Sequence, residues 1–135
     1  SMLEGECART SATKASAADL ERLRAIHADL ENAADAGDID GFFEANQAFH
    51  LALQEIADNR WLLQVIEDLR KVIKLSRHHS LFSEGRLAQS LAEHRDILQA
   101  LLARDAARAE TLMRAHILSG RAALARIADA KTQAA

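Results

Sequence analysis

Six histidines and one asparagine are the residues of this sequence whose types and spacing could do chemistry. Asn46 and His50 are four residues apart, a spacing that puts both side chains on one face of a helix. His94 lies about ten residues before, and His116 about eleven after, the turn expected at Arg104-Asp105, and antiparallel helices rise equally from their turn. The two imidazoles are therefore expected at nearly the same height. Imidazole is the commonest metal ligand in proteins, so three imidazoles and one oxygen predict a site for a Zn²⁺-type cation.

The same histidines also have a purely structural interpretation, which spacing alone leaves open. A histidine on a half-buried helix is more often packed or hydrogen-bonded than bound to a metal. His27 lies at a height similar to that of His50, beside an apolar stripe, and is expected in the core or at its rim. His78 and His79 lie next to a predicted loop and are expected to be exposed. The sequence contains no Ser or Cys nucleophile with a nearby His and acid, and no Gly-rich phosphate loop.

The composition favours helices as the elements that position these side chains. The 135 residues include no Pro, five Gly and one Cys, while Ala and Leu fill more than a third of the chain. Pro breaks helix interiors and Ala is the strongest helix former, so a nearly all-helical single domain is expected. No apolar run approaches the roughly 18 residues of a membrane span. The net charge of −3 disfavours nucleic-acid binding by this chain alone, and the lone Cys7 favours a cytoplasmic protein.

Glycines and capping residues divide the chain into about six helices, which short turns should arrange as an antiparallel bundle. The predicted helices run from about Leu3 to Ala15, Ser16 to Gly37, Asp38 to Ala57, Asn59 to Ser76, Arg86 to Ala103 and Asp105 to Ala128. The stretch from His78 to Gly85 breaks the helical periodicity and predicts a loop. We expect residues 1–15 to form a first helix that starts with an expression remnant. Residues 16–128 should form the main helical bundle, and residues 129–135 a C-terminal tail.

Three segments, NQAFHLAL (46–53), AEHRDILQAL (92–101) and MRAHI (113–117), resemble motifs of the FCD domain. This is the C-terminal effector-sensing domain of the FadR branch of GntR-type bacterial transcription regulators. The resemblance covers about Leu3 to Ile127, and six helices rather than seven are closer to the VanR-like subgroup. It implies an all-α, antiparallel, ligand-sensing bundle that dimerises and is not an enzyme. Operator DNA would be bound only by a winged helix-turn-helix domain that lies outside this sequence.

The resemblance also implies a metal and an effector. The family usually binds a divalent metal through one Asp and three His, roles that fall here on Asn46, His50, His94 and His116. An asparagine amide can coordinate but carries no charge, so the affinity should be lower and the occupancy stays open. Nitrogen ligands favour Zn²⁺, Ni²⁺ or Cu²⁺ over Mg²⁺, and we expect Zn²⁺ or Ni²⁺. The family's effectors are commonly small carboxylates, which the uncompensated charge of such an ion would attract.

Several further side chains are candidates for binding the acid or for orienting a ligand. Arg70 and Arg77 lie on one stripe of the predicted fourth helix. They either form an exposed basic stripe, or one of them supplies a cation that pairs with the effector. Gln89 is a candidate neutral donor. Two acids, Glu93 and Asp96, flank His94 on its helix. They are either surface charges or hydrogen-bond acceptors that fix the tautomer of a histidine.

Two functions of other classes remain open from the sequence. A helical metal-dependent hydrolase would also use three histidines and an open coordination position. No carboxylate general base stands at a motif position, however, and Asn46 removes the one carboxylate expected there. The second alternative is a structural dimerisation module with three buried histidines and no ligand.

Overall fold

The computed structural model describes residues 2–58, 64 and 85–134, and in this part of the chain it contains helices and no strand. The helices are α1 (Met2–Lys14), α2 (Ala17–Ala36), α3 (Ile39–Ala57), α4 (Arg86–Leu102) and α5 (Ala106–Ala134). The predicted all-α class is confirmed. The predicted helix from Asn59 to Ser76 and the predicted loop from His78 to Gly85 lie outside the described residues, apart from Gln64 and Gly85.

The boundaries of α2 and α3 follow from the capping residues that the sequence indicates. Ser16 and Asp19 form a reciprocal capping box, in which each side chain accepts a hydrogen bond from the backbone N–H of the other. Gly37 ends α2 with φ 66°, a left-handed conformation that costs glycine little. Asp38 then caps α3 by accepting a hydrogen bond from the N–H of Gly41 at 2.9 Å. These three predictions are confirmed.

A sharp turn joins α4 to α5 and makes them neighbours. Arg104 adopts a left-handed conformation with φ 59°, and the side chain of Asp105 accepts a hydrogen bond from the N–H of Arg108 at 3.1 Å. The turn therefore lies where it was predicted. The last helix was predicted to end at about Ala128, but it continues to Ala134. The residues predicted as a C-terminal tail therefore belong to α5.

The helices pack into one body around the middle of α3 and α4. Helix α1 packs against α5 and α3, α2 packs against α3 and α4, and α4 packs against α5. Gly5 allows the close approach of α1 to α5, because a Cβ there would lie 2.8 Å from Cγ of Arg114. The largest buried apolar side chains, each at most 1% exposed, are Leu23, Leu30, Phe42, Phe49, Leu53, Ile97, Leu101 and Met113. No helix in the described part of the chain is both long enough and apolar enough to cross a bilayer.

The capping box leads to a stability prediction. Ser16→Ala removes the side-chain acceptor at the start of α2, and we expect it to lower the free energy of unfolding by about 1 kcal/mol. Ser16→Thr keeps an acceptor and should lie much closer to wild type. Urea denaturation followed by circular dichroism measures both. Equal stability of Ser16→Ala and wild type would contradict a stabilising role for the cap.

His27 is buried in the bundle, as predicted, and its charged form is disfavoured there. Burial lowers the pKa of His27, the neighbouring Glu31 opposes that effect, and the charge of Arg95 adds to it. Nδ1 of His27 lies 3.9 Å from Oε1 of Glu31, and Arg95 binds both oxygens of that carboxylate. The arginine therefore holds the acid, Glu31, that would favour a charged imidazole.

This arrangement predicts a pH dependence of stability. Below the ordinary histidine pKa of about 6.5, unfolded His27 takes up a proton that the folded protein resists, so acid favours unfolding. Between pH 7.5 and 5.5 wild type should lose stability faster than His27→Gln. The difference should stay below the limit of about 1.4 kcal/mol per pH unit that one proton sets. Urea titrations of metal-free protein at several pH values test this, and parallel curves for the two proteins would rule it out.

Candidate metal centre

Three histidines from three helices meet in the interior of the bundle. His50 comes from α3, His94 from α4 and His116 from α5, and their exposed fractions are 2%, 0% and 5%. One ligand nitrogen from each ring lies within 4.8 Å of the others. The ring centres of His94 and His116 are 4.4 Å apart, which confirms that the two histidines lie at the same height on either side of the turn.

Aromatic packing fixes the orientation of the rings. The ring of Phe49 meets His94 edge to face at a centroid distance of 5.2 Å, and Phe42 meets it similarly at 6.5 Å. The rings of His50 and His116 are stacked, with an interplanar angle of 14° and centroids 5.3 Å apart. Both phenylalanines lie on the face of α3 whose periodicity is visible in the sequence, so the same pattern that buries α3 also orients the histidines.

The hydrogen bonds of His94 leave one nitrogen available. Its Nδ1–H donates to the backbone oxygen of Ser90 at 2.7 Å, which puts the lone pair on Nε2. That Nε2 is buried and has no hydrogen-bond partner in the described part of the chain. Burial, and then the charge of His116, lower the pKa of His94 well below its usual value. The ring is therefore neutral near pH 7 and presents a lone pair, as a metal ligand must.

His116 is oriented by a carboxylate that another helix supplies. Its Nδ1–H donates to Oε2 of Glu93 at 2.5 Å, and Nη1 of Arg86 lies 3.2 Å from the same oxygen. Burial raises the pKa of Glu93, but the bond from His116 and the charge of Arg86 outweigh burial and lower it overall. Glu93 thus realises one of the two roles considered for the acids beside His94, although it orients the histidine on α5. Asp96 is exposed.

Glu4 of α1 is a neighbour of the centre that the sequence reasoning missed. Its side chain is buried, and Oε1 lies 4.0 Å from Nδ1 of His50. The buried face of α1 consists otherwise of small residues, Gly5, Cys7, Ala8, Ser11 and Ala12. The sequence could have indicated Glu4, because it lies on the same helical face as these small residues. An acid on a buried face usually has a partner nearby.

Asn46 lies one helical turn before His50, on the same face of α3. Its side chain is half-buried, and the amide oxygen Oδ1 is buried without a hydrogen-bond partner among the described residues. An amide oxygen can serve as a neutral metal ligand, so an unpaired one a helical turn from His50 is consistent with the fourth predicted ligand.

These residues fit a divalent transition metal. Nitrogens bound to Zn²⁺ at 2.0–2.1 Å in tetrahedral geometry are about 3.4 Å apart. The present spacing of at most 4.8 Å therefore needs only a small inward movement of the rings. Three imidazoles suit Zn²⁺, Ni²⁺ or Cu²⁺, and two of the rings already donate their other nitrogen to an acceptor, as metal-bound histidines usually do.

The other predicted binding residues are not part of this cluster as described. Gln89 is exposed on α4. Arg70 and Arg77, and likewise His78 and His79, lie outside the described residues. Arg86 and Ser90 are two buried residues of α4 that contact the histidine centre, and neither is identified from the sequence as a support for a ligand.

The helices and the histidine cluster together define an all-α bundle with a buried polar centre. Residues 1–119 match the family model described as "FCD domain". Among solved structures, E. coli McbR/YncC is similar, with a TM-score of 0.82 and 21% sequence identity over 92% of this chain. The match spans 63% of that structure's chain, which is less than two thirds of its length. No curated protein sequence matches significantly.

The chain belongs to the FCD domain family, because the match covers most of its length. The resemblance found in the three sequence motifs is thereby confirmed. The family supports an effector-binding regulatory domain, and the similar structure supports the same all-helical fold.

The link between Glu93 and His116 predicts a loss of metal affinity on mutation. Glu93→Gln removes the charge that holds Nδ1–H, and we expect the affinity for Zn²⁺ to fall about 10- to 100-fold. Asp96→Asn, an exposed acid on the same helix, is the matched control and should leave the affinity unchanged. Competition with a chromophoric chelator measures both, and an equal loss in the two variants would point to general electrostatics instead.

Proposed function

We propose that this domain senses a small organic acid at a divalent metal held by Asn46, His50, His94 and His116. Zn²⁺ or Ni²⁺ is the expected ion. The observation that carries the proposal is the convergence of three buried imidazoles, one of which presents an unpaired, neutral nitrogen. A structural histidine cluster would be expected to satisfy that nitrogen internally, because a buried polar atom without a partner destabilises the fold.

The charges around the centre support an anionic effector. Two carboxylates, Glu4 and Glu93, lie beside the imidazoles, and the buried Arg86 contacts Glu93. Together these side chains offset the double charge of a divalent ion only in part. When bound, the metal would supply a positive centre that attracts a carboxylate, while the imidazoles hold it in place. Arg70, Arg77 and Gln89 remain proposed contacts for the effector.

In a full-length regulator, we propose that the effector alters how the helices pack and thereby the DNA-binding domain. His50, His94 and His116 belong to three different helices, so a ligand that draws them together favours one arrangement of α3, α4 and α5. An effector shifts such an equilibrium only by binding one arrangement more tightly than the other. The proposal includes a homodimer in the cytoplasm, without enzymatic activity, and the FadR-branch and VanR-like assignment stays a prediction.

Elemental analysis combined with a thermal-shift screen of carboxylic acids tests the proposal. Purified wild type should retain about one equivalent of metal, and a subset of acids should raise its Tm. His94→Ala and His116→Ala should each lose the metal and the acid-dependent shift, because each removes one of the three imidazoles. Asn46→Asp is the informative matched variant, since its added charge should raise metal affinity without changing the histidines.

The outcomes separate the proposal from its alternatives. Retention of stoichiometric metal by both alanine variants would show that the site is elsewhere. Turnover of an ester, amide or phosphate panel by the metal-loaded protein would favour a hydrolase. Neither metal nor any acid-dependent shift in wild type would leave a structural dimerisation module.

A further inference from the structure

Gln54 is a buried amide on α3 that the proposed metal site does not use. It is 1% exposed, and neither its Oε1 nor its Nε2 has a hydrogen-bond partner in the part of the chain that is described. It follows His50 by four residues, so the two side chains share one face of α3. Asn46, His50 and Gln54 therefore form a polar row of one residue per turn along a helix whose other buried residues are mainly apolar.

A glutamine in this position is costly for the free protein. A buried amide that lacks partners loses its hydration without compensation, and a leucine of similar size would avoid that loss. Its neighbours along α3, Leu53 and Ala57, have buried, apolar side chains. The backbone oxygen of Leu53 already accepts a hydrogen bond from the hydroxyl of Ser11. The amide is thus complementary to a molecule that brings both a donor and an acceptor.

The position of the amide limits the shape of that molecule. Four residues of α-helix rise about 6 Å, so Gln54 lies about that far along α3 from His50. A short linear acid with its carboxylate at the histidine centre can extend over this distance. A neutral hydroxyl or primary amide at its far end would both donate to Oε1 and accept from Nε2. A second carboxylate would only accept, and an alkyl end would satisfy neither atom.

Building on the proposed function, we propose that Gln54 binds the far end of the effector and selects a short acid that carries a second, neutral polar group. The chemical class is a hydroxy acid or a monoamide of a dicarboxylic acid. Simple fatty acids, and acids charged at both ends, should bind less tightly. Gln54 is a binding residue in this scheme, and it has no part in holding the metal.

Isothermal titration of Zn²⁺-loaded protein with four matched acids tests this selection. The probes are 4-hydroxybutyrate, succinamate, succinate and butyrate. Wild type should bind the first two at least about tenfold more tightly than butyrate, with succinate also weaker. In Gln54→Leu that preference should disappear while Zn²⁺ stays bound. Gln99→Leu, which replaces an exposed glutamine on α4, is the matched control and should keep the preference.

A second readout does not depend on any acid. Because it removes two unpaired polar atoms, Gln54→Leu should raise the Tm of the ligand-free protein, whereas a glutamine kept for packing or internal hydrogen bonds should lower it. Gln54→Met, which keeps the length of the side chain, gives the same comparison if the leucine variant does not fold.

The results distinguish failure of this inference from failure of the proposed function. If the acids bind with metal retained but show no preference, or the same preference in Gln54→Leu, the assignment of Gln54 is wrong and the sensor proposal stands. That result would indicate that water alone satisfies the amide. If wild type binds neither metal nor any acid, both are wrong.

Discussion

The hydrogen bond from His116 to Glu93 is the interaction on which the arrangement of the centre depends. It links α5 to α4 at the level where His94 projects inward, and it fixes which nitrogen of His116 carries the proton. Glu93 can remain ionised because His116 donates a hydrogen bond to its carboxylate and Arg86 contacts the same oxygen. Removing the carboxylate would leave a buried guanidinium without that acceptor as well as an unoriented imidazole, so the three residues act as one unit rather than as separate contacts.

Several buried side chains in the interior of this bundle carry polar atoms without a hydrogen-bond partner among the described residues. His94 contributes one nitrogen, Asn46 one amide oxygen and Gln54 a complete amide, none of them satisfied within the described residues. An apolar core built for stability alone would not contain them, because each lowers the stability of the free protein. The aromatic edges of Phe42 and Phe49 pack around His94 and help to exclude water from its surroundings. Such a combination suits a domain whose stability rises when a ligand fills the centre.

The sequence could predict much of the fold, because the relevant rules act over a few residues. Ser16, Gly37 and Asp38 mark helix ends by local hydrogen bonding and backbone conformation, and the turn at Arg104 sets the heights of His94 and His116. The supports of the centre depend on rotation and crossing of distant helices, which no short-range rule specifies. Glu4 lies 46 positions before His50 in the sequence. Glu93 orients His116 on α5 rather than its sequence neighbour His94.

The distribution of the ligands over the helices explains why a bundle suits a sensing domain. A centre built on one helix would bind its ligand without moving anything else. Here each imidazole comes from a separate helix, and α1 adds a carboxylate beside His50. In the proposed sensor, a ligand that shortens the spacing between the rings would pull on three helices at once, because packing already holds the side chains. The absence of Pro keeps the helices free of proline kinks, so a small displacement at the centre can be carried along their length. The proposal thereby links binding and helix position through the same few residues.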